Sequence, residues 1–256
     1  MNKQLFNHEF NLILIALTFF TRIPVSSKID FSPEKLNQAG RYFSLIGYLI
    51  GGLCALVYFI FSALLSDPIA LLLSMLFGIL LTGSFHEDGL ADTCDGFGGG
   101  WQAEQKLKIM KDSRLGTYGA VAIWFVLTLK FYLLLETASI ILALLVAHPL
   151  SRSISTCMIY FLPYVANEEQ SKVKPLAEKL RLSDLLINSV IGIIPLLLLS
   201  NLTLMASVKV LLILAGLFFI LKNLYIKQIG GFTGDTLGAA QQISELVIYM
   251  LLIIYL

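Results

Sequence analysis

The chain has 256 residues, of which 57% are hydrophobic and 14% are charged, and its mean hydropathy is +0.82. This composition excludes an ordinary soluble domain, in which about a quarter of the residues are charged, and the long unbroken apolar runs exclude a β-barrel. A net charge of +1 indicates no nucleic-acid partner, and three scattered cysteines without a CxxC spacing predict neither a disulfide framework nor a zinc site.

The N-terminal region is predicted to lie at the membrane surface. Phe10–Phe20 is apolar, but it has only about half the length needed to cross a bilayer. Arg22 and Pro24 end this run, so we expect an interfacial or re-entrant helix. Pro33 then begins a short amphipathic helix that ends near Gly40, since proline is favoured in the first turn of a helix.

Seven further apolar segments are each predicted to cross the membrane as a helix. The expected fold is an all-α, polytopic membrane helical bundle that forms one integral-membrane catalytic domain over residues 1–256. Gly47, Gly51 and Gly52 in the first span would allow close helix packing. The predicted spans are Tyr42–Leu65, Ile69–Phe85, Gly119–Leu135, Ser139–Leu162, Leu185–Leu199, Val208–Leu224 and Ser244–Leu256.

Basic residues fall in every second loop between these spans, which the positive-inside rule assigns to the cytoplasm. The N-terminus and the loops after spans two, four and six are therefore predicted to be cytoplasmic. The basic residues are Lys3, Arg22, Lys28, Lys35 and Arg41 before span one; Lys106, Lys108, Lys111 and Arg114 after span two; Lys172, Lys174, Lys179 and Arg181 after span four; and Lys222 and Lys227 at the end of span six.

The segment His86–Gly100 places several carboxylates directly after an apolar span. In a helix, Asp88, Asp92 and Asp95 would share one face within roughly 40°, and we call these three residues the acidic stripe. Carboxylates on one face repel each other unless a hard cation lies among them, and oxygen ligands suit Mg²⁺ or Mn²⁺. The glycines that follow would let the backbone approach a phosphorylated ligand. Glu87 would point away from the stripe.

Two other polar clusters, Lys106–Gly119 and Gly230–Ala239, are predicted on the same side of the membrane. Carboxylates, cations and glycine turns that meet there are typical of phosphate chemistry. Arg114 is predicted to bind phosphate because Asp112 and Gly116 frame it, whereas membrane topology alone could account for the lysines before it. Asp235 is predicted to face a ligand.

Five blocks in the chain, taken in order, resemble those of the cobalamin synthase family, whose members are also called adenosylcobinamide-GDP ribazoletransferases. The resemblance implies a Mg²⁺-dependent transfer at the cell inner membrane, and the basic loops predict that the site faces the cytoplasm. Adenosylcobinamide-GDP would be joined to α-ribazole or its 5′-phosphate, and GMP would leave. The residues alone predict only a metal-dependent transferase of phosphorylated substrates. The blocks are Phe20–Pro24, Arg41–Phe43, His86–Gly96, Ile109–Thr117 and Gly234–Ala239.

The predicted site draws on all of these segments. Either His86 or an acid of the stripe would take the proton of the attacking hydroxyl. Arg152 lies within span four, so it should face the bundle interior and a partner. The expected partners are the two substrates and the lipid bilayer, while a homo-oligomer and other cobamide-assembly enzymes stay open. Predicted catalytic residues are His86, Asp92, Arg114 and Asp235; metal ligands are Asp88, Asp92 and Asp95; substrate-binding residues are Arg22, Lys111, Asp112, Gly116, Arg152, Gly234 and Thr236.

Two other functions compete with this interpretation. Asp92–Gly96 reads DxxDG, as in CDP-alcohol phosphotransferases, but Gly99 and Gly100 stand where that motif has Ala-Arg. A divalent-cation transporter could also use clustered carboxylates. Against a transporter, the acids lie outside the predicted hydrocarbon slab and no inverted repeat is visible.

Overall fold

The computed structural model of the chain describes residues 3–25, 29–166, 177–197, 199 and 203–256. These residues form α-helices and one 3₁₀ turn, Gly40–Tyr42, and their only β-type pairing is an isolated bridge between Tyr164 and Phe232. The predicted all-α fold is thus confirmed. The helices are α1 (Lys3–Phe20), α2 (Pro33–Ala39), α3 (Phe43–Ser62), α4 (Asp67–Thr82), α5 (Phe85–Gly99), α6 (Ala103–Met110), α7 (Thr117–Glu136), α8 (Ile140–Phe161), α9 (Leu182–Leu197), α10 (Leu204–Ile229) and α11 (Gly234–Tyr255).

Five helical segments among the described residues are long and apolar enough to cross a membrane, as expected of a multi-pass membrane protein. They are α2 and α3 taken together, α7, α8, α10 and α11. The bent pair α4–α5 would make a sixth span, and α9, the predicted fifth span, is a shorter apolar helix. Length and composition therefore support five or six spans, and the count of seven stays a prediction.

Two predicted boundaries are wrong at the N-terminal ends of helices. The last span begins at Gly234 rather than Ser244, because Gln241, Gln242 and other polar residues of α11 are buried inside the bundle instead of forming a loop. Helix α1 begins at Lys3 rather than near Phe10. Of the basic residues used to predict topology, Lys28, Lys172 and Lys174 lie outside the described residues.

Helices α3 and α8 pack backbone to backbone through glycine, which confirms the prediction for Gly47 and Gly51. A Cβ atom at Gly47 would lie 2.6 Å from the Cα of Pro149, and one at Gly51 would lie 2.6 Å from the carbonyl oxygen of Leu144. Any larger residue would push the two helices apart. At Gly52 the nearest atom is a Leu145 side-chain methyl at 3.9 Å, so Gly52 does not set this contact.

The corner between α4 and α5 turns the chain by 83°. Gly83 and Ser84 both adopt the left-handed conformation, with φ of 67° and 59°, and the Arg22 guanidinium occupies the place that a Gly83 side chain would need. If α4 crosses the bilayer, this bend lays α5 along the membrane surface. We therefore treat α5 as lying outside the membrane-spanning segments, across the N-terminal ends of α7 and α11.

Candidate active site

The acidic stripe lies on a continuous helix, as the sequence predicts, because α5 runs without a break from Phe85 to Gly99. Burial increases along the stripe: Asp88 is exposed, Asp92 is half-buried and Asp95 is buried. The three carboxylates consequently meet different surroundings, and these surroundings separate their roles.

Helices α5 and α11 cross at two glycines, and this crossing brings Asp235 to the stripe. A Cβ atom at Gly89 would lie 2.9 Å from the backbone oxygen of Asp235, and one at Gly238 would lie 3.1 Å from the backbone oxygen of His86. Asp235 stands in the first turn of α11. We call Asp88, Asp92 and Asp235 the acidic cluster.

The start of α11 is fixed by a capping box. Thr233 Oγ1 accepts from the N–H of Thr236 at 3.3 Å, and Thr236 Oγ1 accepts from the N–H of Thr233 at 2.9 Å. Thr236 is fully buried and its hydroxyl also donates to the Thr233 carbonyl, so it holds the turn in shape. Gly234 is the first residue of the helix, beside Asp235. The substrate-binding roles predicted for Gly234 and Thr236 stay predictions.

Like charges in the acidic cluster act on one another. Burial, followed by the negative charges of Asp235, Asp88 and Asp95, raises the pKa of Asp92 to about 7. An accumulation of negative charge that is costly to bury is a setting that a cation would stabilise. The sequence had placed the metal within the stripe alone, and the crossing adds Asp235 as a neighbouring oxygen donor.

The donor chemistry fits Mg²⁺, although no group of three or more His, Cys, Asp or Glu side chains in the described part of the chain is already arranged to hold a metal. Mg²⁺ keeps several waters and is commonly held by one or two carboxylates together with substrate phosphates. A preformed cage of side chains is thus not required. The metal assignment of Asp88, Asp92 and Asp95 stays a prediction.

Asp95 has a structural partner that distinguishes it from the other two. Its carboxylate accepts the N–H of Gly116 at 2.7 Å and the N–H of Gly119 at 2.9 Å, and so caps the N-terminus of α7. A Cβ atom at either glycine would collide with the same carboxylate. Gly116 therefore has its N–H committed to Asp95, and a phosphate would compete with Asp95 for it.

Arg114 and Asp112 form an ion pair in the loop that precedes α7. The Arg114 Nε donates to Asp112 Oδ1 at 3.0 Å and Nη2 to Oδ2 at 2.5 Å, and this pair lowers the pKa of Asp112 to about 2. The Arg114 side chain is 87% exposed, so its guanidinium lies in solvent beside Asp112. Lys111 lies close enough to Asp235 for their charges to interact.

His86 lies on the side of α5 roughly opposite the stripe, as the helical rotation per residue requires. It is 4% exposed, and its ring stacks on Phe20 with centroids 5.7 Å apart. The structure therefore does not bring His86 to the acidic cluster. Of the two proton acceptors left open by the sequence, an acid of the stripe has the suitable position.

The other two arginines of the predicted site, Arg22 and Arg152, occupy different environments. Arg22 is exposed at the α4–α5 corner, and its backbone N–H donates to the Leu81 carbonyl at 2.8 Å. Arg152 is buried inside the bundle against His148, which confirms that it faces the interior and a partner. The structure thus separates Arg152 from the acidic cluster, and neither predicted substrate contact is tested by this geometry.

Sequence reasoning missed two charged residues inside the predicted spans. Lys130 in α7 and Glu245 in α11 are buried and form an ion pair at 3.2 Å. Each interrupts an otherwise apolar stretch, and an ionisable residue within a membrane span is itself a signal of a functional or packing role. That signal was used for Arg152 but not for these two.

Comparison with known proteins gives matches over nearly the whole chain. A family described as cobalamin-5-phosphate synthase matches residues 12–253. Two proteins named adenosylcobinamide-GDP ribazoletransferase are similar: one from Shewanella baltica (strain OS155) is 47% identical over 98% of this chain and 97% of its own length. The other, from Shewanella frigidimarina, is 49% identical over 96% of this chain and 95% of its own length. No solved structure matches the chain.

Proposed function

From the premise that the chain belongs to the cobalamin-5-phosphate synthase family, we propose that it joins adenosylcobinamide-GDP to α-ribazole or its 5′-phosphate. Membership makes it a transferase of cobalamin synthesis. The observation that carries the finer assignment is the acidic cluster, in which two of the family-like blocks meet at the α5–α11 crossing. Such a cluster suits a reaction in which an alcohol attacks a diphosphate with the help of a metal ion.

The proposed reaction is a displacement at phosphorus. The 3′-hydroxyl of α-ribazole attacks the phosphoryl group that stays with the cobinamide, and a new P–O bond forms. The bond from that phosphorus to the bridging oxygen breaks, and GMP leaves with the electron pair. The hydroxyl proton passes to a carboxylate of the acidic cluster.

Mg²⁺, held by Asp88 and Asp92 with Asp235 beside them, would supply neutralisation of the diphosphate oxygens. Asp95 contributes by fixing the start of α7, next to the loop that carries Lys111 and Arg114. Those two cations would offset charge on the departing GMP once the exposed Arg114 turns from Asp112 towards the phosphates. The roles divide between residues that face the ligand and residues that hold the helices.

The site is proposed to face the cytoplasm from the inner membrane, because the basic loops lie on that side. A single cysteine at exposed Lys108, in a background without other cysteines, should resist an impermeant thiol reagent in intact cells. A cysteine at Glu136, at the other end of α7, should react. Labelling at position 108 from outside would reverse the topology.

The function is tested with the purified protein in detergent or vesicles, supplied with adenosylcobinamide-GDP, α-ribazole and Mg²⁺. The expected result is stoichiometric release of GMP with formation of the joined corrinoid, and α-ribazole 5′-phosphate is compared as acceptor. Release of CMP from a CDP-alcohol, or divalent-cation uptake into vesicles without GMP release, would refute the proposal and select one of the two alternatives.

A further inference from the structure

A group of charged side chains lies inside the helical bundle, apart from the acidic cluster. Lys130, Arg152 and Glu245 are 7%, 2% and 1% exposed and belong to α7, α8 and α11. Lys130 Nζ donates to Glu245 Oε2 at 3.2 Å and to the side-chain oxygen of Gln242 at 2.9 Å. Charges at this depth are costly unless they balance one another.

Within this group, the positive charges outnumber the negative. Arg152 Nη1 lies 3.2 Å from His148 Nδ1, which in turn lies 3.6 Å from Glu245 Oε1. Tyr249 also donates to Glu245 Oε1, at 2.8 Å. Glu245 thus contacts Lys130 directly and Arg152 through His148, and the group as it stands carries one excess positive charge.

A second carboxylate, that of Glu87 on α5, lies beside this group. Its Oε1 accepts from Gln242 Nε2 at 3.0 Å, which joins Glu87 to Lys130 through one amide side chain. Its other oxygen and the Nε of Arg152 are both buried without a hydrogen-bond partner. Both residues line one small cavity, and their charges interact across it.

We infer that Glu87 is the counter-ion of the buried positive charge in the bundle, and that through Gln242 it is a positioning residue for α5. Glu87 directly precedes Asp88, and a helix turns by about 100° per residue. Fixing Glu87 against α11 therefore fixes the rotation at which α5 presents Asp88 and Asp92. The kinetic part of this inference rests on the proposed function, whereas the charge balance does not.

A charge swap separates a positioning role from direct contact with metal or substrate. Glu87→Gln keeps the bond to Gln242 but loses the charge, and we expect kcat to fall about tenfold, with the KM values little changed. Adding Gln242→Glu returns the charge to the same hydrogen-bonded pair, and kcat should recover to within about threefold of the parent. No recovery in a folded double variant would overturn the positioning role, as would full activity of Glu87→Gln.

A double-mutant cycle tests the charge balance without any assay of turnover. Glu87→Gln and Lys130→Met each unbalance the group, so each should lower the thermal midpoint of the detergent-solubilised protein. The double variant is neutral again and should lose clearly less than the two single losses combined. Additive losses would overturn the counter-ion assignment. Glu136→Gln, which removes an exposed carboxylate, is the matched control and should leave the midpoint unchanged.

The two experiments fail independently of the proposed function. A protein that shows the thermal coupling but transfers no phosphoryl group would refute the reaction and retain the counter-ion. Normal turnover in all Glu87 variants, together with additive thermal losses, would refute the counter-ion and retain the reaction.

Discussion

The acidic cluster and the charged group in the bundle differ in the sign of their charges and in whether those charges are paired with opposite ones. Asp88, Asp92 and Asp235 carry one sign and repel each other at the surface end of the helices. With Glu87 included, the charged group in the bundle carries two charges of each sign, and the Lys130–Glu245 ion pair and hydrogen bonds to neutral side chains hold it in the interior. Unbalanced charge of one sign indicates a place for a ligand, whereas balanced charge indicates a device that holds helices together.

One helix links the two regions. Asp235 lies in the first turn of α11, and Glu245 lies about 15 Å further along the same helix, at a rise of about 1.5 Å per residue. Helix α5 is tied to both, through Asp88 and Asp92 at one face and through Glu87 at another. Changes that affect only one region should therefore separate chemistry from stability.

The largest effect is expected from Asp92→Asn, which breaks the acidic cluster. Turnover should fall by about 10²-fold or more, while the thermal midpoint stays the same or rises because repulsion is relieved. The measurement is GMP release against Mg²⁺ concentration, with Glu104→Gln as an exposed control on α6. Near-normal turnover at ordinary Mg²⁺ would remove Asp92 from the site.

The next effect concerns pH. Because the pKa of Asp92 is raised to about 7, protons compete with Mg²⁺ below that pH, and the half-saturating Mg²⁺ concentration should rise about tenfold per pH unit towards pH 5. Above pH 8 the dependence should disappear. Asp235→Asn removes one of the charges that raise this pKa, so the remaining activity should show the same transition at a lower pH. An unshifted transition would assign it to another group.

A smaller effect is expected from Arg114→Lys, which keeps the charge but loses the planar pair of donors. If Arg114 contacts the phosphates mainly in the transition state, kcat should fall several-fold and more than KM rises. Steady-state kinetics in both substrates measure this. A change confined to the KM for α-ribazole would place Arg114 at the acceptor instead of the leaving group.

The smallest effect is expected from Asp95→Asn, which weakens the cap of α7. A lost cap costs about 1 kcal/mol, which corresponds to roughly 2–4 °C in the thermal midpoint of a protein of this size. Turnover should fall far less than in Asp92→Asn. A loss of about 10²-fold at an unchanged midpoint would restore Asp95 as a metal ligand and contradict the division of the stripe.

Local patterns predicted part of the site. The shared face of Asp88, Asp92 and Asp95 follows from helical spacing alone, and the interior position of Arg152 follows from the cost of exposing an arginine to lipid. The approach of Asp235 depends on where α5 and α11 cross, and the capping role of Asp95 depends on the start of α7. Neither is encoded in the spacing of one segment.

Hydropathy also misplaced the start of α11. Gln241, Gln242 and Glu245 lower the apparent hydropathy of this helix, although all three are buried against other polar groups rather than exposed to lipid. A residue-by-residue scale cannot register a partner from another helix. The same limitation explains why the sequence did not indicate that Lys130 is buried against a partner. Gly47 and Gly51 of α3 act through their own small size, and their prediction is confirmed.

The glycine crossing of α5 and α11 also has a consequence for the choice of ion. A side chain at Gly89 or Gly238 would separate the helices by a fraction of an ångström, and with them the carboxylates of Asp88, Asp92 and Asp235. Bonds from oxygen to Mg²⁺ measure about 2.0–2.1 Å and those to Ca²⁺ about 2.3–2.6 Å, a difference of the same size. If the acidic cluster binds the proposed Mg²⁺, the two glycines would therefore bear on selectivity between these cations as much as on how closely the helices pack.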